Sequence, residues 1–243
     1  MAKQRLDQLL VEKGLCDSRE QAKRLIMAGE VLIGTAVAAK PAVQVSNEEE
    51  ITVKESPRYV SRGGIKLEGA LNAFGIDPEG KVCMDVGSST GGFTDCLLQR
   101  GARKVYAFDV GTNQLVWKLR NDPRVVSREK FNVRYIKPKD VDDPIELCLI
   151  DVSFISLTLI LGPVFEVLAA EGNIICLVKP QFEAPRKAVG KGGVIRDESV
   201  RVAALNKIYE FVVEKSEKVW HRHIDSPISG TDGNLEYFAW LTH

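Results

Sequence analysis

Two charged residues follow apolar stretches that have the length and composition of buried strands. Asp151 follows the run 147–150, and Lys179 follows the run Ile174-Ile175-Cys176-Leu177-Val178. A charge at such a place is costly unless it is paired, so the two residues fit a structural ion pair that fixes two strand ends. They equally fit a lysine base held by an aspartate, since burial and a second cation favour the neutral amine. Lys66 could be that cation, and Glu236 could hold Lys66 or a ribose.

A second group of candidate residues surrounds the sequence Asp-Val-Gly-Ser-Ser-Thr-Gly-Gly-Phe at 85–93. An apolar run precedes it and helical spacing follows it, which predicts a strand, a turn and a helix whose first N–H groups face a nucleotide-like ligand. Glycines suit the turn because a side chain would block the ligand. Asp109 ends the next apolar run and can accept two ribose hydroxyls, and either of two later residues could reach an adenine edge. The candidate cofactor-binding residues are Asp85, Gly87, Ser88, Ser89, Gly91, Gly92, Phe93, Asp109, Glu129 and Asn132.

The spacing within this turn separates it from two better-known nucleotide motifs. It lacks the G-x-G-x-x-G pattern of dinucleotide-binding proteins and the lysine of a phosphate-binding loop. Asp-x-Gly-x-x-x-Gly-Gly, followed by an acid at the end of the second strand, resembles the S-adenosylmethionine turn of Rossmann-like methyltransferases. The resemblance implies S-adenosylmethionine as cofactor, and the alternative is an ordinary α/β turn with spare glycines.

The elements that must position these residues alternate between strand and helix from position 81 onwards. We predict a helix over 65–74, strands over 82–86, 104–109, 125–128, 147–151, 173–178, 218–224 and 236–242, and helices near 91–100, 113–120, 157–170 and 198–215. This alternation predicts a parallel sheet with helices on both faces and a closing antiparallel pair. The fold class is therefore α/β, a Rossmann-like seven-stranded methyltransferase sheet with a small amino-terminal α+β domain.

The amino-terminal residues 1–56 form a separate predicted domain, joined by a linker over 57–64 to a domain over 65–243. Two short helices precede a small sheet, and Arg5-Leu6-Asp7, Ser18-Arg19, Ala22, Ile26, Gly29 and Val31 resemble the S4 RNA-binding fold. That resemblance implies RNA contacts by basic residues, which in the linker could touch a phosphate backbone. A solvated, non-binding helix face is the alternative. The candidate RNA-binding residues are Arg5, Arg19, Lys23, Arg24, Arg58 and Arg62.

Composition excludes several classes of function. The 243 residues carry a formal net charge of zero, so any RNA contact must come from local patches. The five cysteines have no metal-ligand spacing, which predicts reduced core thiols, no metal and a cytoplasmic protein. The first residues show no signal peptide, and no apolar run approaches the about 20 residues that cross a bilayer, so we expect no membrane partner.

The set Lys66, Asp151, Lys179 and Glu236 resembles the Lys-Asp-Lys-Glu tetrad of FtsJ-type RNA 2′-O-methyltransferases. With the strings at 59–67, 151–157 and 178–183, the whole chain resembles the TlyA family, named both haemolysin A and ribosomal RNA 2′-O-methyltransferase. The resemblance implies methylation of a ribose in ribosomal RNA or ribosomal subunits. Lys179 would take the hydroxyl proton, Asp151 would position Lys179, and the other two residues would hold the nucleotide and the base.

Two other functions stay open at this point. A cytolysin needs a spanning helix, an amphipathic hairpin or a large apolar face that can be exposed, and the sequence pattern shows none. A non-catalytic RNA-binding or ribosome-assembly factor would keep the same fold. The basic, glycine-rich segment 182–197 fits a lid over RNA and an ordinary surface loop equally well. The sequence predicts neither the target nucleotide nor the oligomeric state.

Overall fold

The computed structural model describes residues 3–54, 57–230 and 232–243. The chain divides into two compact units, Met1–Arg58 and Tyr59–His243. Positions 55 and 56, at the end of the predicted first domain, lie outside the described residues. Residues 62–64, which we predicted to be linker, are instead helical, because the first helix of the second unit already begins at Arg62.

The described part of the first unit, residues 3–54 and 57–58, contains two helices and five short strands. The elements are β1 (Lys3–Arg5), α1 (Leu6–Glu12), α2 (Arg19–Met27), β2 (Val31–Ile33), β3 (Ala36–Val37), β4 (Gln44–Ser46) and β5 (Ile51–Val53). β1 pairs with β4, and β2 lies between β3 and β5. Leu6, Leu10 and Ile26 are buried in its core, and Ser18 Oγ caps α2 by accepting from the Gln21 N–H. Strand β1 was not predicted, because its partner residues lie about 40 positions along the chain.

The second unit is built on a seven-stranded sheet, as predicted. Its strands are β6 (Val82–Val86), β7 (Lys104–Phe108), β8 (Val125–Arg128), β9 (Ile145–Ile150), β10 (Leu168–Val178), β11 (Val219–Asp225) and β12 (Tyr237–Thr242). Their order is β11-β12-β10-β9-β6-β7-β8, with β12 antiparallel to its neighbours. The chain runs outward from β6 in one direction and returns to its other side at β9. Ligands collect at the carboxyl ends of strands at such a switch point.

Helices cover both faces of this sheet. They are α3 (Arg62–Phe74), α4 (Gly92–Gln99), α5 (Trp117–Arg120), α6 (Leu161–Val167), α7 (Pro180–Glu183) and α8 (Glu198–Glu210). One buried cluster contains Phe108, Leu161 and Ile208, and the opposite one contains Leu71 and Phe238. The sheet is therefore apolar on both faces, which explains why its strands are continuous hydrophobic runs.

Three predicted helices are shorter than expected. The helix predicted over 157–170 ends at Val167, because Leu168 pairs with Ile145 and begins β10. The helix predicted over 113–120 is reduced to α5. The helix predicted over 198–215 ends as α-helix at Glu210 and continues as a π-helical turn, Phe211–Lys215.

Candidate active site

The candidate site lies where the carboxyl ends of β6, β9 and β10 meet. The Asp151 N–H donates to the Val86 carbonyl at 2.9 Å, so the segment after β9 runs beside the turn after β6. Two cavities open at this place. One, here named the polar cavity, measures about 350 Å³, and the other, the apolar cavity, measures about 580 Å³. Both are lined by the same five residues, Gly87, Ser89, Asp151, Ser153 and Phe154.

The polar cavity holds the four residues of the predicted tetrad as two ion pairs. Lys66 Nζ lies 2.5 Å from Glu236 Oε2, and both side chains are almost completely buried. Lys179 Nζ lies 2.5 Å from Asp151 Oδ1 and 3.2 Å from Ser153 Oγ. The four residues come from α3, the end of β9, the end of β10 and the start of β12. The predicted contact between Asp151 and Lys179 is therefore present, and Glu236 holds Lys66.

Packing within the protein accounts for the glycines of the turn after β6. Gly87 and Gly91 have φ values of +85° and +99°, which disfavour other residues. A Cβ at Gly87 would also collide with the Asp151 carbonyl oxygen, and one at Gly92 would collide with Ser61 Oγ. The protein's own packing thus requires glycine at these positions; Gly87 and Gly92 also line the polar cavity, and that they make room for a ligand stays a prediction.

Asp85 supports this turn from inside. Its side chain is fully buried, and Oδ2 accepts from the Thr94 N–H at 3.0 Å and the Thr94 hydroxyl at 2.6 Å. Burial raises the pKa of Asp85 to about 7, and the charges of Asp151 and Asp109 add to that shift. We predicted that Asp85 binds a cofactor, but its contacts instead tie the end of β6 to the first turn of α4.

Asp109 and Asn132 are among the polar residues that line the apolar cavity, whose apolar walls include Phe108 and Phe131. Asp109 accepts from the Ser89 N–H at 2.8 Å and from the Gly111 N–H at 2.7 Å. Asn132 Oδ1 accepts from the Arg134 N–H at 3.1 Å. An ionised carboxylate has about four acceptor positions, so Asp109 can still accept hydrogen bonds from a ligand.

The carboxylate of Glu129 binds residues of the segment before α5. Its carboxylate accepts from the N–H groups of Asn113 and Gln114 at 2.7 and 3.0 Å and pairs with Arg120 at 2.6 Å. The Asn113 N–H is the main reason why the pKa of Glu129 is lowered. Glu129 thus orders the segment before α5 and is not among the residues that line the apolar cavity; its contact with an adenine edge stays a prediction.

Aromatic residues that the sequence reasoning missed stand at the junction of the cavities. Phe154 is 91% exposed and has a φ of +64°, which is unusual for a bulky residue and typical of functional sites. Its ring centroid lies 4.9 Å from that of Phe182. Ser153 and Gln181 also line the polar cavity. All four follow predicted strands within four residues, and that position was the only signal that the sequence offered for them.

The candidate RNA-binding residues of the first unit differ in their surroundings. The buried Asp7 pairs with Arg5 at 2.9 Å and with Arg19 at 3.0 Å, and mainly the Arg5 hydrogen bond lowers the pKa of Asp7 to about 2. Lys23 pairs with Glu20 at 2.8 Å, and Arg24 is exposed. Arg5 and Arg19 therefore have a structural role that the sequence reasoning did not foresee.

The two remaining candidates lie on either side of the point where the chain passes from the first unit to the second. Arg58 and Arg62 are exposed, Arg58 belonging to the end of the first unit and Arg62 to α3. Arg62 also lines the polar cavity. This places one predicted RNA-binding residue directly beside the two ion pairs.

The predicted lid, 182–197, is attached near both of its ends. Glu183 is buried and accepts from the Ser156 hydroxyl at 2.5 Å and the Leu157 N–H at 2.7 Å. Towards the other end, Asn234 Oδ1 accepts from the Ile195 N–H at 2.9 Å. The segment is thus held by hydrogen bonds near both of its ends, and its role as a lid over RNA stays a prediction.

Within 3–54, 57–230 and 232–243, no helix has both the length and the apolar character that crossing a membrane requires. The same residues contain no group of three or more His, Cys, Asp or Glu side chains placed to hold a metal ion. All five cysteines are free and buried.

The sheet order with an antiparallel last strand, the glycine turn and the joined cavities define a Rossmann-like methyltransferase domain. Residues 59–243 match the FtsJ-like methyltransferase family, and residues 4–51 match the S4 domain. The chain therefore belongs to the FtsJ-like methyltransferases and, as its relatives show, to the TlyA family.

Three relatives illustrate the similarity. YqxC of Bacillus subtilis, named as a candidate rRNA methyltransferase, is 50% identical over 98% of this chain and 85% of its own. The 16S/23S rRNA (cytidine-2′-O)-methyltransferase TlyA of Mycobacterium tuberculosis is 45% identical over 98% of this chain and 89% of its own. The solved structure of a candidate hemolysin from Streptococcus thermophilus is 46% identical, with a TM-score of 0.74, over 99% of this chain and 88% of its own.

Proposed function

We propose that this protein transfers the methyl group of S-adenosylmethionine to a ribose 2′-hydroxyl of ribosomal RNA in the cytoplasm. The observation that carries the proposal is the Lys179–Asp151 pair, whose 2.5 Å contact lies where the two cavities meet. A base at this place can reach a hydroxyl in one cavity beside a methyl donor in the other. The names of YqxC and TlyA support ribosomal RNA as the substrate.

The residues of the apolar cavity fit the nucleoside part of this cofactor. Phe108, Phe131 and Ile160 offer an apolar slot for adenine, Asp109 has acceptor capacity for ribose hydroxyls, and Asn132 stands beside them. The polar residues Ser88, Ser89 and Thr90 at the shared end fit the amino-acid part. When bound, the cofactor supplies an electrophilic methyl group on a positively charged sulfur.

The four tetrad residues have distinct tasks in this proposal. Lys179 accepts the proton of the ribose hydroxyl as the oxygen attacks the methyl carbon. Asp151 holds the Lys179 amine and contributes negative charge beside the cationic sulfur. Lys66 and Glu236, fixed to each other, form the wall against which the target nucleotide is placed. Much of the acceleration comes from this alignment of the reacting groups.

Two further features suit an RNA substrate. A 2′-hydroxyl exists in RNA and not in DNA, so the reaction itself selects RNA. The exposed Phe154 ring, which lies tilted at 51° beside Phe182, offers a surface for an unstacked base at the mouth of the polar cavity. The S4 match over residues 4–51 adds an RNA-binding unit.

The decisive experiment incubates the protein with methyl-labelled S-adenosylmethionine and either naked ribosomal RNA or assembled small or large subunits. Digestion to nucleosides then shows whether the label is a 2′-O-methyl group. We expect the wild type to transfer the label and Lys179→Ala to transfer it more than about a hundredfold more slowly. The control Lys215→Ala, which changes an exposed lysine of the π-helical turn, should keep full activity. No transfer to any of these substrates by protein that binds the cofactor would refute the proposal.

A further inference from the structure

We infer that Ser153 is a positioning residue that aims the lone pair of Lys179 at the substrate hydroxyl, an inference that rests on the proposed function. Two acceptors surround the Lys179 amine. Asp151 Oδ1 lies 2.5 Å from Nζ, and Ser153 Oγ accepts a hydrogen bond from Nζ at 3.2 Å. Both acceptors line the junction of the polar and apolar cavities.

The tetrahedral geometry of the amine nitrogen explains why a second contact matters. A neutral lysine nitrogen has four tetrahedral positions, which are filled by Cε, two N–H bonds and one lone pair. The charge of Asp151 attracts the amine at ion-pair distance, but by itself it would let the nitrogen rotate and turn an N–H towards the substrate. Ser153 accepts one N–H of the amine, and with a second N–H drawn towards Asp151 the position left for the lone pair is the one towards the polar cavity.

The reaction then balances without a further participant. The O–H bond of the ribose hydroxyl breaks, and its proton joins the Lys179 nitrogen, which becomes an ammonium group with three N–H bonds. The oxygen forms the new bond to the methyl carbon, and the electron pair of the broken carbon–sulfur bond stays on the sulfur. Ser153 accepts from the same N–H group before and after the transfer, and Asp151 stays at ion-pair distance from the amine, so neither has to move.

The position of Ser153 is fixed by the residues around it. Two groups of the same segment, the Ser156 hydroxyl and the Leu157 N–H, donate to the buried Glu183 at 2.5 and 2.7 Å. Glu183 lies only four residues after Lys179, at the end of α7. One carboxylate thus ties the segment that carries Ser153 to the segment that carries Lys179. Ser153 itself is exposed, so its hydroxyl contributes little to the folding of the protein.

The test compares Ser153→Ala, Ser153→Thr and the control Ser216→Ala in the full-length protein. Ser216 follows the π-helical turn and precedes β11, at the opposite edge of the sheet. The single-turnover rate of methyl transfer to ribosomal subunits is measured together with cofactor affinity, the subunit concentration for half-maximal rate, and the melting temperature. We expect Ser153→Ala to slow the transfer about fivefold to tenfold, with the other three quantities unchanged. Threonine keeps the hydroxyl and should restore the rate to within about twofold of the wild type.

Each other result overturns the inference. A wild-type rate in Ser153→Ala shows that the hydroxyl does not aim the amine. A threonine variant as slow as the alanine variant shows that the loss does not come from the hydroxyl. Weaker cofactor or subunit binding at an unchanged rate assigns Ser153 to direct binding instead. If the wild type itself transfers no methyl group, the proposed function fails and this inference fails with it.

Discussion

Replacing Glu236 by glutamine should destabilise the protein strongly, because it leaves the Lys66 charge without its partner. The two charged atoms are 2.5 Å apart, and only 11% of the Lys66 side chain and 3% of the Glu236 side chain are exposed. A pair on the surface contributes about 0–1 kcal/mol. Breaking a buried pair on one side costs about 3–5 kcal/mol, because the remaining charge is not solvated. Because Lys66 and Glu236 are both buried, we expect the larger cost, that of breaking a buried pair.

The expected effect is large enough for ordinary unfolding measurements. A loss of about 3 kcal/mol lowers the melting temperature of a domain of this size by about 6–12 °C. The double variant Lys66→Met, Glu236→Gln removes both charges and should recover most of that loss, since no buried charge is left unpaired. Methyl transfer should be lost in the single variants and in the double variant alike, because the wall of the polar cavity is changed in each.

Circular dichroism melts and urea titrations of the wild type, the two single variants and the double variant form a complete cycle. Two results would refute the reasoning. One is a Glu236→Gln protein that melts within about 2 °C of the wild type. The other is a double variant that is no more stable than the single ones.

Three further predictions concern other parts of the molecule. The pKa of Asp85 in the folded protein, about 7, lies above its ordinary value of 3.8, so between about pH 4 and pH 7 the folded state binds a proton that the unfolded state has lost, and the protein loses stability as the pH rises through that window. In urea titrations, the stability of Asp85→Asn relative to the wild type should therefore be greater at about pH 8 than at about pH 4.5. An equal difference in stability at the two pH values would contradict this. Gly92→Ala should lower the melting temperature and weaken cofactor binding in calorimetry, because the new Cβ would collide with Ser61 Oγ. An unchanged melting temperature and cofactor affinity would show that the start of α3 can shift to make room for the methyl group. Phe154→Ala should raise the subunit concentration for half-maximal rate about tenfold without changing cofactor affinity. Phe154→Tyr keeps an aromatic ring and should leave that subunit concentration unchanged. If the two variants behave alike, the Phe154 ring does not stack on an RNA base.

The sequence predicted what depends on neighbouring residues. The apolar runs located β6 and β8 at their observed bounds, and charges at the ends of such runs pointed to Asp151 and Lys179. What it could not predict depends on distant partners. β10 begins five residues early because Leu168 pairs with Ile145. The helix predicted over 113–120 is reduced to α5, and Asn113, at its predicted start, has a non-helical φ of +55°.

The site shows the same limit. From the sequence, Glu236 could hold either Lys66 or a ribose. The structure shows that Glu236 pairs with Lys66. The sequence marked the glycines as special but could not show that their own protein neighbours, Asp151, Ser61 and the leucines around α5, already require them. The left-handed backbone of Phe154 has no sequence signature, because bulky residues rarely adopt it.

The contact between Lys66 and Glu236 also has a consequence for the order in which the chain folds. The two residues are 170 positions apart, and β12, which follows Glu236 directly, is inserted between β10 and β11. Contacts between such distant residues form slowly, because a long loop has to be closed before they are gained. A folding intermediate with β6 to β9 in place would already have the turn after β6, while Lys66 still lacked its partner. The wall of the polar cavity is therefore completed only when the last two strands have docked.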